Sequence, residues 1–167
     1  MKILGIDPGT ATTGFGLINY NKGKFDFLDC GCILTKAGLP LAERLNIIAQ
    51  DLQKLIKGMK PDEVAVEELF FFNNAKTALA VGHARGVILQ ILAEHGLEPK
   101  EYTPLQIKQA ITGYGKADKA QVQKMVKTIL NLNYIPKPDD AADGLAIAIT
   151  HAQSRKLAQN SKVKAQR

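Results

Sequence analysis

Apolar side chains in the first 34 residues recur with a period of two, and only from residue 39 does the spacing lengthen to three and four. Residues 2–7 read as a short buried strand ending at Asp7. Thr12 to Tyr20 alternates Thr13, Phe15 and Leu17 with smaller or polar residues, and the turn Asn21-Lys22-Gly23-Lys24 leads into Phe25–Leu34. Such a run predicts three antiparallel strands in succession. Leu41, Leu45, Ile48, Leu52, Leu55 and Ile56 then mark a helix over Leu39–Gly58, with Gly58 as its stop. A strand at Glu63–Val66, a long helix over Asn74–His95 and a last strand at Glu98–Tyr102 follow. Thr103-Pro104 fits an N-cap and first-turn proline for a helix through Ile111. After the joint Gly113-Tyr114-Gly115 come a helix over Asp118–Leu130 and, beyond Pro136 and Pro138, a final helix from about Asp140.

The order βββ-α-β-α-β-ααα predicts an α/β fold: a mixed five-stranded sheet, three antiparallel strands then two parallel, flanked by helices. A right-handed crossover lays the fourth strand parallel to the first and beside it. The carboxyl ends of those two strands, Asp7 and Glu67, then lie together. Open α/β sheets place their ligand chemistry at such ends.

Asp140 and Asp143 stand three apart at the start of the last helix and share one face. Aspartate there also caps N–H groups and complements the helix dipole, a reading that suffices for Asp139 and serves Asp140 and Asp143 equally well on their own. Asp7 before Pro8-Gly9 can be a turn former, and Glu67-Glu68 a solvated strand end. The joint pattern carries more than its parts. Clustered carboxylates repel and hold their protons tightly unless a cation joins them. An all-oxygen set suits Mg²⁺ or Mn²⁺, and two such ions serve phosphodiester hydrolysis.

The charge distribution fits a polyanionic partner. Residues 1–99 hold 10 Lys/Arg against 11 Asp/Glu, a net of −1; residues 100–167 hold 12 against 5, a net of +7. At 167 residues the chain fits one domain, here 1–152, followed by a basic, flexible tail at 153–167 that either binds nucleic acid or simply keeps the end solvated. No apolar run approaches the ~20 residues of a bilayer span, and Asp7 falls too early for a signal peptide. A cytoplasmic protein is expected. Cys30 and Cys32, two apart on a strand, are poorly placed for a disulfide and read as small reduced residues. His83, His95 and His151 show no metal-ligand spacing.

Three stretches together resemble the RuvC family of Holliday-junction resolvases. They are Gly5-Ile6-Asp7-Pro8-Gly9-Thr10 with Gly14-Phe15-Gly16, Ala65-Val66-Glu67-Glu68-Leu69-Phe70, and Asp140-Ala141-Ala142-Asp143-Gly144-Leu145-Ala146-Ile147-Ala148-Ile149-Thr150-His151. The resemblance runs from about residue 2 to 151. It implies an RNase H-like fold and a homodimer that nicks two opposed strands of a four-way DNA junction in recombination and repair. It also implies RuvA–RuvB branch-migration machinery as a partner. Carried over by position, Asp7, Glu67, Asp140 and Asp143 are the catalytic, metal-binding carboxylates, with Mg²⁺, two per site, as the expected cofactor and Mn²⁺ able to substitute. Some family members carry His where this chain has Asp143, and Asp keeps the site all-oxygen. Phe70 matches the junction-probing aromatic, and Lys108 and Lys119 match basic positions that contact DNA.

Phe71 and Phe72 suit either a buried helix start or a DNA-facing wedge. Ala78, Gly82 and Gly86, every four residues, suit close packing either on the sheet or on a partner helix, the latter favoured by the resemblance. The opening turn also suits the phosphate loop of actin- and hexokinase-like ATPases, but those need two such domains. A smaller RNase H-like nuclease acting on RNA and a non-catalytic junction-binding protein remain the alternatives.

Overall fold

The computed structural model describes residues 1–68 and 75–165, with side chains for 1–68 and 79–155. Its elements are β1 (Lys2–Asp7), β2 (Thr12–Asn21), β3 (Lys24–Leu34), α1 (Leu41–Met59), β4 (Glu63–Glu67), α2 (Ala75–Glu94), β5 (Lys100–Tyr102), α3 (Pro104–Thr112), α4 (Lys119–Ile129) and α5 (Asp139–Ala165). The strands form one sheet in the order β3-β2-β1-β4-β5. The first three are antiparallel, and β4 runs parallel to both β1 and β5. The expected α/β architecture is the observed one.

The turn between β2 and β3 has two residues, Lys22 and Gly23, both at positive φ (46° and 91°), the backbone twist that a two-residue hairpin favours. The helix predicted to stop at Gly58 instead continues to Met59 and ends on Lys60 in the left-handed conformation. Pro61 is the physical reason. It bars the residue before it from continuing the helix, so proline sets the end and glycine does not. Thr103 caps α3 as predicted, and Asp118 caps α4 in the same way; each accepts from a backbone N–H three residues on while a glutamine reaches back. The last helix, expected from about Asp140, starts at Asp139. Its backbone is helical to Ala165, through most of the stretch read as a flexible tail. No described helix is long and apolar enough to cross a membrane.

Alternation along the strands divides the core in two. Leu4, Ile6, Phe15, Leu17, Val64 and Val66 pack with Ile48, Leu52 and Ile56 of α1 and Ala84, Ile88, Ile91 and Leu92 of α2. Ile3, Ile18 and Ala65 face the other way, onto α5, with α3 and α4 outside it. Residues 145 to 152 of α5 are therefore buried from both sides.

The contact between α5 and the sheet is backbone against backbone. A Cβ on Gly14 would lie 2.0 Å from the Asp140 carbonyl oxygen, one on Gly16 2.3 Å from the Leu145 nitrogen, and one on Gly5 2.1 Å from the Gly144 oxygen. From the helix side, a Cβ on Gly144 would meet the Phe15 carbonyl carbon at 2.4 Å. None of these atoms can swing away as a side-chain tip would, so only glycine fits. We expect Gly16→Ala to cost about 2–3 kcal/mol through overpacking, read as a lower urea midpoint at unchanged slope. Gly58→Ala, whose Cβ meets open space, should leave stability equal or raised.

A candidate metal centre at the strand ends

Asp7 is the last residue of β1 and Glu67 the last of β4. Because Ile6 pairs with Val66 in parallel register, the two acidic side chains leave neighbouring strands at the same height. Both point to the α5 face, two residues beyond Gly5 and Ala65. On the other side of β1, Asp7 pairs with Gly14, against which the Asp140 backbone rests. The glycine seam thus delivers the first turn of α5 onto the end of β1. Carboxylate oxygens of Asp7, Asp140 and Asp143 all lie within 4.8 Å of one another, each side chain half-buried. Glu67 joins them through a hydrogen bond with Asp7.

Two carboxyl groups can share a hydrogen bond only if one keeps its proton. Burial, followed by the charge and hydrogen bond of Glu67 and the charges of Asp143 and Asp140, pushes the Asp7 carboxyl far above the carboxylate range. Burial likewise raises Glu67, against the hydrogen bond from Asp7 and the nearby charges of Lys108 and Lys119. Asp143 is raised by burial and partly relieved by Lys119. The Lys119 Nζ sits 3.0 Å from Asp143 and 3.9 Å from Asp139. Although burial opposes its charge, the hydrogen bond to Asp143 lifts the ammonium above its ordinary value. Lys108 and Lys119 line the same cleft of about 230 Å³ as Glu67 and Asp143, floored by Ile107, Val122 and Ile147. Asp139 lies at the helix start, exposed and paired only weakly, consistent with a first-turn aspartate.

All the candidate carboxylates and both lysines therefore meet in one place. Phe70, with Phe71 and Phe72, lies outside the described residues. Cys32 sits near the site without any signal for it in the sequence. Its thiol is raised by burial and then by the charges of Asp140 and Asp7, and it shares a hydrogen bond with the Ala141 backbone. Both cysteines are free. His151 is likewise hidden among three scattered histidines. It is buried on α5, with Nε2 2.8 Å from Glu63 and Nδ1 2.9 Å from the Tyr102 hydroxyl, and only the strand register reveals this.

The donor set fits a hard divalent cation: oxygens only, mutually repelling, and close enough to share an ion. With this site at the ends of parallel β1 and β4 and the start of the last helix, the chain has the architecture of an RNase H-like protein. Residues 3–151 match the family model described as "Crossover junction endodeoxyribonuclease RuvC". The chain belongs to the RuvC family. The RuvC of Alkaliphilus oremlandii is 54% identical over 164 residues, covering 98% of this chain and 100% of that one. The RuvC of Desulforamulus reducens is 57% identical over 153 residues, covering 92% and 94%. Thermus thermophilus RuvC, solved in complex with Holliday junction substrate, superposes with a TM-score of 0.88 at 36% identity, over 95% of this chain and 96% of that one. A yeast mitochondrial Holliday junction resolvase shares the fold at 14% identity and a TM-score of 0.67.

The proton held by Asp7 gives a sign to the pH dependence. A carboxyl whose folded pKa is raised binds a proton in the native state that the unfolded chain releases above its ordinary value of 3.8. The metal-free protein therefore loses stability as pH rises from about 4 toward neutrality. Asp7→Asn removes that loss. In chelator at pH 7 the variant should be more stable than wild type by at least about 1.4 kcal/mol, the free energy of a tenfold difference in proton affinity. The difference should vanish near pH 3.5; a variant less stable than wild type at pH 7 would show the carboxylates do not strain the fold.

Proposed function

We propose that this protein is a structure-selective endonuclease that resolves four-way DNA junctions by metal-dependent phosphodiester hydrolysis, acting in the cytoplasm in recombination and repair. The observation that carries the reading is the convergence of Asp7, Asp140 and Asp143 within 4.8 Å in a chain of the RuvC family. Asp7, Glu67, Asp140 and Asp143 would hold Mg²⁺, two ions per site, with Mn²⁺ able to substitute. Bound there, such ions polarise the scissile phosphate and lower the pKa of the attacking water.

The chain's own residues prepare the rest. Strand pairing fixes Asp7 and Glu67, and the backbone contact of α5 sets the height of Asp140 and Asp143 above the sheet. Lys108, in the second turn of α3, and Lys119, the first residue of α4, put positive charge on the wall of the cleft. There they can engage phosphates on either side of the scissile bond, contacts that position DNA without reading its sequence. Phe70, three residues past Glu67 in sequence, is the candidate wedge for unstacked bases at a junction centre.

We further infer that the protein works as a homodimer, so that paired sites cut opposed strands, alongside RuvA–RuvB branch-migration machinery. On α2, Ala84, Ile88, Ile91 and Leu92 face the protein's own core, whereas Gly86 looks onto open space and Leu79 is 63% exposed. The small-residue face at Gly86 is thus not spent on the sheet, which supports a partner helix there.

Purified protein should cut a synthetic four-way junction with Mg²⁺ and leave it intact in EDTA. Cleavage that persists in chelator would end the metal-dependent reading, and equal cleavage of linear RNA–DNA hybrid would favour the RNA-directed alternative. Asp7→Asn should bind the junction at least as tightly as wild type in a gel-shift assay while its single-turnover cleavage falls about a thousand-fold, as expected when several kcal/mol of charge stabilisation is lost. Phe70→Ala should slow cleavage of intact junctions by more than it weakens binding; identical rates would return Phe70 to a packing role.

A further inference from the structure

At the end of the sheet remote from the carboxylates, α5 and β4 meet a second time. His151 of α5 is buried, 6% exposed, with Nε2 2.8 Å from Glu63 Oε2. The other Glu63 oxygen lies 3.0 Å from Arg155 Nε, one turn further along the helix. A carboxylate only accepts, so His151 Nε2 carries the proton. In the neutral ring Nδ1 then accepts from the Tyr102 hydroxyl at 2.9 Å. Both ring nitrogens are occupied, one by β4 and the other by β5.

The two elements joined here are those that carry Glu67 and Asp143. From Glu63 to Glu67 is four residues of strand, about 13 Å. From His151 to Asp143 is eight residues of helix, about 12 Å. The two spans are nearly equal, so the tie at one end and the acidic cluster at the other close a frame with parallel sides. Between them the line of closest contact on α5 carries no side chain beyond a methyl group. Gly144 and Ala148 lie against Gly5, and a Cβ added there would touch backbone. Such a contact fixes the distance between helix and sheet. Placement along the helix axis falls to the side chains packed beside that line and to the directional hydrogen bond at the far end.

We propose that His151, through its bond to Glu63, is a positioning residue that sets the axial placement of α5 on the sheet and so the spacing of Asp140 and Asp143 from Asp7 and Glu67. The inference rests on the metal-dependent reading above, and its deciding readout needs no DNA. Mn²⁺ binding to the protein is followed by electron paramagnetic resonance, alongside melting curves and junction cleavage. His151→Phe keeps the ring volume but neither hydrogen bond. It should remain folded, bind Mn²⁺ about tenfold more weakly, a loss of about 1.4 kcal/mol, and show a larger cleavage defect at limiting metal than at saturating metal. The double variant Glu63→His with His151→Glu rebuilds the tie in reverse and should recover most of the Mn²⁺ affinity. Should His151→Phe fail to fold, Glu63→Met carries the same test, since it keeps the length of the side chain and removes both acceptor oxygens; weakened Mn²⁺ binding supports the proposal and unchanged binding overturns it. Mn²⁺ affinity within twofold of wild type in the folded variant, or a loss that the double variant does not recover, overturns it. A wild type that neither binds Mn²⁺ nor cleaves would instead overturn the functional reading on which it stands.

Discussion

The fold depends on one contact: along a line of glycines the last helix touches the sheet backbone against backbone. Gly5, Gly14 and Gly16 on the strands and Gly144 on the helix remove the layer of Cβ atoms that normally separates a helix from a sheet. Most helices that cover sheets carry their functional groups some distance above it. Here the helix start is lowered until Asp140 and Asp143 are level with the end of β1. An acidic cluster built from three distant stretches of chain becomes possible because the backbone itself approaches. The same closeness buries these groups and concentrates their charge, so the carboxyls of Asp7, Glu67 and Asp143 are all raised, by burial first and by their neighbours second.

Much of this was legible in the sequence because it follows from period and handedness. The alternation of Thr13, Phe15 and Leu17 marked a strand, the three- and four-residue spacing from Leu41 marked a helix, and the right-handed crossover set β4 beside β1. Asp7 and Glu67 were then neighbours by topology alone. Asp140 and Asp143 could not be placed by that route. Helix periodicity puts them on one face but does not say which strand that face meets, and it was the family resemblance that assigned them. The glycines that settle the question have no periodic signature.

What escaped depended on single-residue geometry. The pairing of β2 with β3 shifts by one residue between Leu17 and Ile18, and that bulge turns Cys30 and Cys32 toward α5, opposite Gly16 and Gly14. Counted straight from the Lys22-Gly23 turn, Cys32 would face the other core. His151 was hidden for a related reason: its partner is 88 residues away, and Glu63 looked like an ordinary strand-start residue. The end of α1 was misplaced because Pro61, rather than Gly58, ends it. The helical course of residues 153–165 had no apolar rhythm to announce it.

The order of the strands also decides where the molecule is firm. Asp7 and Glu67 lie on β1 and β4, which have neighbours on both sides, while the sheet ends in a bulged strand, β3, and a three-residue strand, β5. Local opening begins where hydrogen bonds are few and edges are bare, and reaches interior strands only near global unfolding. Amide hydrogens in the middle of β1 and β4 are thus expected to exchange more slowly than those of β3 and β5. The rim can breathe while the centre keeps its shape.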